Sequence, residues 1–122
     1  MQEKQQQITQ KISQLPPYHQ LAFGIMLSER LLPNYFAFHL VEQWGNPIVL
    51  LSGIDLLKQV VSQQSYDEGE LELVDEWIEE VTPDMDDFPS NTLASLALDT
   101  ASLLHECFLF VRDHQPKHVA LC

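Results

Sequence analysis

Apolar residues along this chain recur at helical spacing and nowhere alternate with a period of two, so the pattern predicts helices and no strands. Residues 3–15 carry Ile8, Ile12 and Leu15 and little else apolar, a lightly anchored first helix. Pro16-Pro17 ends it, and a second helix runs from Pro17 to about Leu32. That segment is apolar nearly all round except for Gln20, Gly24 and Ser28, four residues apart, which predicts a central helix that a neighbour can approach closely. Pro33 then restarts the chain, and 34–44 reads as a short aromatic helix bearing Tyr35, Phe36, Phe38 and Trp44, with Gly45 as its C-cap. Asn46-Pro47 opens a helix over 48–62, with Leu50, Ile54, Leu57 and Val61 in period. A polar loop over 63–69 leads to a helix over 70–81, whose Leu71, Val74, Trp77, Ile78 and Val81 share a face. After a Pro-containing loop over 82–90, Ser90 or Asn91 caps a long apolar helix reaching about Asp113.

Pro116 opens a last apolar stretch, 117–122, little more than one turn and too short to be stable alone. The abrupt stop favours a chain that continues past Cys122. The expectation is one all-α domain over 1–122, an irregular bundle of six or seven helices truncated at its C-terminus.

Composition narrows the class. With 45% hydrophobic residues in 122, the chain is too apolar to be disordered. Two distant cysteines make no disulfide scaffold, and Cys107 reads as a buried thiol. The polar N-terminus argues against a secretory signal. In the most apolar window, 93–111, Asp99, His105 and Glu106 argue against a membrane span. A reducing cytoplasm is the simplest location.

Eighteen Asp and Glu against six Lys and Arg give a net charge of −12, unsuited to direct binding of nucleic-acid phosphates. The charge is local. Residues 67–87 hold 11 of the acids and no Lys or Arg, and the remainder of the chain is nearly neutral. The plain reading is a solvated helix face. Yet Glu72–Glu76, Asp75–Glu79 and Glu76–Glu80 are like-charge pairs one turn apart, each destabilising by about 0.2–0.5 kcal/mol. Glu79 and Glu80 also sit near a helix C-terminus, where the dipole disfavours anions. The sharper reading is a docking face for a basic protein, formed by Glu72, Asp75, Glu76, Glu79 and Glu80. A variant of it is an acidic inhibitor or immunity-type protein that blocks a basic, nucleic-acid-binding surface.

In the last long helix Ser95, Asp99, Ser102 and Glu106 form one narrow polar stripe. A carboxylate in so apolar a helix is costly unless paired, and Arg30 is the expected partner of Asp99. The alternative is a polar pocket between this helix and the second, lined by Glu29, Arg30, Asp99 and His105. Catalytic and metal signatures are missing. Asp84-Met85-Asp86-Asp87-Phe88-Pro89 fails as a calcium loop, because Pro89 stands where glycine is needed. His105-Glu106 lacks the second histidine of a zinc protease motif, and no Glu-x-x-His pair or Gly-rich phosphate loop occurs. No metal, cofactor or catalytic residue is expected.

The run from Phe23 to Tyr35, with its Glu29-Arg30 and Pro33-Asn34-Tyr35, resembles a segment of the YjaG-like family of bacterial proteins of unknown function. Asp86-Asp87-Phe88, followed by Ala97-Leu98-Asp99-Thr100-Ala101, resembles that family's order as well. The likeness covers about residues 15–122, apart from 63–72. It implies an all-helical protein that continues beyond this chain, and no particular activity. It marks Glu29, Arg30, Asn34, Tyr35 and Asp99 as the matching polar positions. With His105 they form the candidate ligand-binding set. An interaction or regulatory module is preferred to a small-ligand binder or enzyme. No membrane or direct nucleic-acid partner is expected, and a homodimer stays open.

Overall fold

The computed structural model describes residues 17–63 and 65–113. These form four helices: α1 Pro17–Glu42, α2 Pro47–Gln63, α3 Glu68–Glu80 and α4 Thr92–Asp113. The described residues contain no strand. Six or seven helices are therefore too many for them. The expected helix over 3–15 and the segment 117–122 lie outside the described residues.

The other discrepancy is at Pro33. The two expected helices over 17–32 and 34–44 are one helix of 26 residues that passes through the proline. Proline removes an N–H and crowds the carbonyl four residues back, a cost of about 3 kcal/mol in a helix interior. Here Pro33 and Glu29 both lie on the exposed side, where water can meet the freed carbonyl. Leu32, Tyr35 and Phe38 beside the proline are buried, so packing on both sides of it carries the helix through. The stop comes later, where Gln43 takes a left-handed φ of 53° and donates its N–H to the His39 carbonyl. Gly45, expected as the cap, lies beyond in the connecting loop with φ 80°.

The other boundaries follow from local chemistry. Asn46 accepts the Ile48 N–H at 3.0 Å and starts α2. Asp67 accepts the Glu70 N–H at 3.1 Å and starts α3. Asn91 accepts the Ala94 N–H at 2.9 Å, and its amide donates to Glu42 Oε1 at 2.7 Å, tying the start of α4 to the end of α1.

The four helices share one core. α1 and α4 pack most extensively, and across their seam the Thr100 hydroxyl donates to the Leu31 carbonyl at 3.2 Å. Gly53 of α2 lets α3 and α4 close in, since a Cβ there would sit 2.9 Å from Ile78 Cδ1 and 3.2 Å from Leu104 Cδ2. Phe38, Trp44 and Phe88 stack edge to face and seal the end formed by the 43–46 and 82–91 loops. α4 is long and apolar enough to cross a membrane. Its apolar side is nonetheless buried against the other helices, Cys107 included.

Candidate functional site

α3 is amphipathic, and its two flanks differ. Leu71, Val74, Asp75 and Ile78 face inward. Glu68, Glu70, Glu72, Glu76, Glu79 and Glu80 are exposed. Leu73 and Trp77, one turn apart, stand 46% and 43% exposed on the same solvent side. The helix therefore presents an apolar strip of two side chains bordered by Glu70, Glu76 and Glu80. Asp84, Asp86 and Asp87 extend the acidity into the next loop, where Asp84 accepts the Asp86 N–H at 2.9 Å and holds a turn.

Asp75 departs from the expected docking face. It is 6% exposed and points toward α4, where its carboxylate meets His105 Nδ1 at 2.7 Å. Five residues of an acidic helix thus do not act alike. Asp75 falls at the edge of the inner arc beside Leu71, and His105 supplies the partner that a buried carboxylate needs. The hydrogen bond to Asp75 raises the His105 pKa above its ordinary value. Burial opposes that rise, and the nearby charges of Asp75, Glu79 and Glu106 add to it.

Glu79, one turn after Asp75, brings a second carboxylate to the same place. One ligand atom from each of Asp75, Glu79 and His105 lies within 4.8 Å of the others. Beside them opens a cavity of about 520 Å³, walled by Glu79, Thr82, Asp84, Met85, Leu98 and His105 among others.

The six residues expected to bind a ligand do not converge. Glu29 reaches Lys58 of α2 at 3.3 Å, an exposed bridge worth little. Arg30 and Asp99 are both exposed and form no ion pair with each other. The polar stripe of α4 needs no buried partner, because Ser95, Asp99 and Ser102 face solvent at the edge of the bundle. Asn34 and Asp99 do share a groove of about 480 Å³ with Ser102 and Glu106, but Arg30 is not in its wall.

Tyr35 is wholly buried. Its hydroxyl donates to the Val81 carbonyl at 2.5 Å and accepts the Asn46 N–H at 3.2 Å, joining three elements. Burial raises its pKa, and the Asn46 N–H partly offsets this. His105 lies with α3, away from the Asn34–Asp99 groove. The trio of Asp75, Glu79 and His105 was missed as a unit. A signal existed: Asp75 and Glu79 are one turn apart, and Asp75 borders the apolar arc of its helix beside Leu71.

The described residues form an all-α core with an acidic helix on one side, and among them no recognisable catalytic motif occurs. The family model described as "Protein of unknown function (DUF416)" matches residues 7–121, and the chain belongs to the DUF416 family. The YjaG label suggested by the Glu29–Tyr35 string is not among these findings. The crystal structure of a DUF416 family protein from Shewanella baltica OS155 is similar, with TM-score 0.81 at 21% identity. The match covers 92% of this chain and 56% of that one. The likeness establishes the fold, and this chain spans just over half the length of that relative. No curated protein matches significantly.

Proposed function

We propose that this protein is a non-catalytic interaction module whose α3 face docks a basic, amphipathic segment of another protein. The observation that carries the reading is Leu73 and Trp77, half exposed within a border of glutamates. Aromatic anchors ringed by charge are what a docking surface needs: the apolar pair supplies affinity, and the charge steers and selects the partner. Clustered acids also repel one another at a cost of a few tenths of a kcal/mol per pair. That cost is offset only when cations approach. The compartment assumed is a reducing cytoplasm, in which the buried Cys107 thiol is stable.

The test uses a fluorescent synthetic helix with Lys and Arg on one face and Leu on the other, read by anisotropy and by tryptophan emission. Binding is expected at about 50 mM salt and should weaken at least tenfold by about 300 mM, as screening shortens the reach of the charges. Trp77→Ala and the reversal of Glu72, Glu76 and Glu80 to Lys should each abolish it. Equal binding by the reversed protein at low salt overturns the reading. A small-ligand site around Asp99, without Arg30, is the second reading, and the groove that Asn34 and Asp99 share supports it.

A further inference from the structure

Among the exposed acids of α3, Glu79 is the one whose carboxylate lies beside a buried carboxylate and an imidazole, those of Asp75 and His105. The local balance is two carboxylates, Asp75 and Glu79, against one histidine, with Glu106 adding to the negative field at His105. Glu79 is also in the last turn of its helix, where the backbone dipole is unfavourable to it. One ligand atom from each of Asp75, Glu79 and His105 already lies within 4.8 Å of the others.

We propose that Asp75, Glu79 and His105 bind a divalent first-row transition metal ion of the zinc class. A four-coordinate ion with bonds of about 2.0–2.1 Å holds its ligand atoms roughly 3.3 Å apart. His105 Nδ1 and Asp75 Oδ1 stand at 2.7 Å, so the ion takes the place of the proton between them with a slight parting of the two. Glu79 is exposed at the cavity mouth and closes the remaining gap by a side-chain rotation.

One imidazole with two carboxylates suits zinc, cobalt, nickel, manganese or iron. Calcium and magnesium take all-oxygen sets with more ligands. Three protein ligands leave a fourth position, which here faces the cavity of about 520 Å³. An open position beside a cavity is the arrangement of zinc sites that bind water or a small anion, not of closed structural ones. None of this depends on the Leu73–Trp77 face.

The experiment is titration of chelator-treated full chain with Zn²⁺ by calorimetry and with Co²⁺ by visible absorption. One ion per chain is expected, with a cobalt spectrum showing nitrogen ligation. Glu79→Gln and His105→Gln should each weaken binding about tenfold or more, whereas Glu72→Gln with Glu76→Gln should leave it within about twofold. Millimolar Ca²⁺ or Mg²⁺ should not displace the ion. Asp75 is buried, so Glu79→Gln, at an exposed position, provides the variant that keeps its fold, checked by circular dichroism. Wild-type affinity in both Glu79→Gln and His105→Gln, or displacement by Ca²⁺, overturns the proposal, as does the absence of one-to-one binding.

Discussion

The contact between Tyr35 and Gly45 offers a direct test of how the α1–α2 connection is held. The Tyr35 ring is fully buried, and its hydroxyl serves the Val81 carbonyl and the Asn46 N–H. Tyr35→Phe strands both. Asn46 is exposed, so water can replace its bond. The half-buried Val81 carbonyl has less recourse, and the cost should be about 1–2 kcal/mol.

Gly45 is constrained from two sides. Its φ of 80° disfavours any side chain, and a Cβ would collide with the Tyr35 hydroxyl. Gly45→Ala should therefore cost about 1–2 kcal/mol for the backbone and a further 1–2 kcal/mol for the clash. The two effects are not independent. In the Tyr35→Phe background the nearest atom to the new Cβ is the ring carbon Cζ, at 3.1 Å. The double variant should be more stable than the sum of the singles predicts, by about 1 kcal/mol. Urea unfolding followed by circular dichroism measures all four corners, with a constant slope confirming that only stability has changed. Additivity within about 0.3 kcal/mol would refute the contact.

Gly53→Ala should destabilise by about 1–2 kcal/mol despite alanine's better helix propensity, because Ile78, Leu104 and Phe108 around it have no exposed surface to yield into. Adding Ile78→Val, which removes the nearest atom, should recover part of the loss in thermal melts. Asn91→Ala should cost about 1 kcal/mol through loss of the α4 cap, together with its tie to Glu42; an unchanged melting temperature would show the cap to be idle. The raised pKa of His105 fixes the sign of a pH effect in the presence of chelator. Protonated His105 is stabilised in the fold by Asp75, with Glu79 and Glu106 nearby. The stability difference between wild type and His105→Gln should be full below about pH 6.5 and decline as pH rises through the raised value. A difference that grows toward high pH would contradict the pairing.

Much of the fold was legible because helix signals are local. Asn46-Pro47 and Asn91 mark the starts of α2 and α4 by side-chain chemistry that needs no tertiary partner, whereas Asp67 starts α3 two residues before the expected position 70, inside the stretch expected to be loop. Pro33 misled because its cost is a property of the chain, while its tolerance depends on the exposure of Glu29 and the burial of Leu32 and Tyr35 around it. The stripe of Ser95, Asp99, Ser102 and Glu106 misled in the opposite way, since the first three are exposed and Glu106 is half-buried. Its spacing was read correctly, but a helix at a bundle edge and a helix at its centre can carry the same stripe, and only the packing of α4 places it in solvent. Asp75 was grouped with its acidic neighbours because composition counts charges without their direction. Its meeting with His105, 30 positions away, is a tertiary fact.

The stability of α3 bears on whether its charge serves a purpose. Glu76 lies one turn from both Glu72 and Glu80, and all three are exposed. Glu76→Lys turns two repulsive pairs into two attractive ones. Each pair changes from a cost of about 0.2–0.5 kcal/mol to a similar gain, so the variant should be more stable by roughly 1 kcal/mol. In a domain of this size the melting temperature should rise by about 4 °C at low salt, and the increment should shrink as salt is added. The same change removes charge from the border of Leu73 and Trp77, so affinity for the basic helix should fall as stability rises. If Glu76→Lys destabilises the protein, the acids are held by cations within the fold, and the docking argument loses its premise. If stability rises while affinity falls, the natural residue is the less stable choice, and binding is what the repulsion serves.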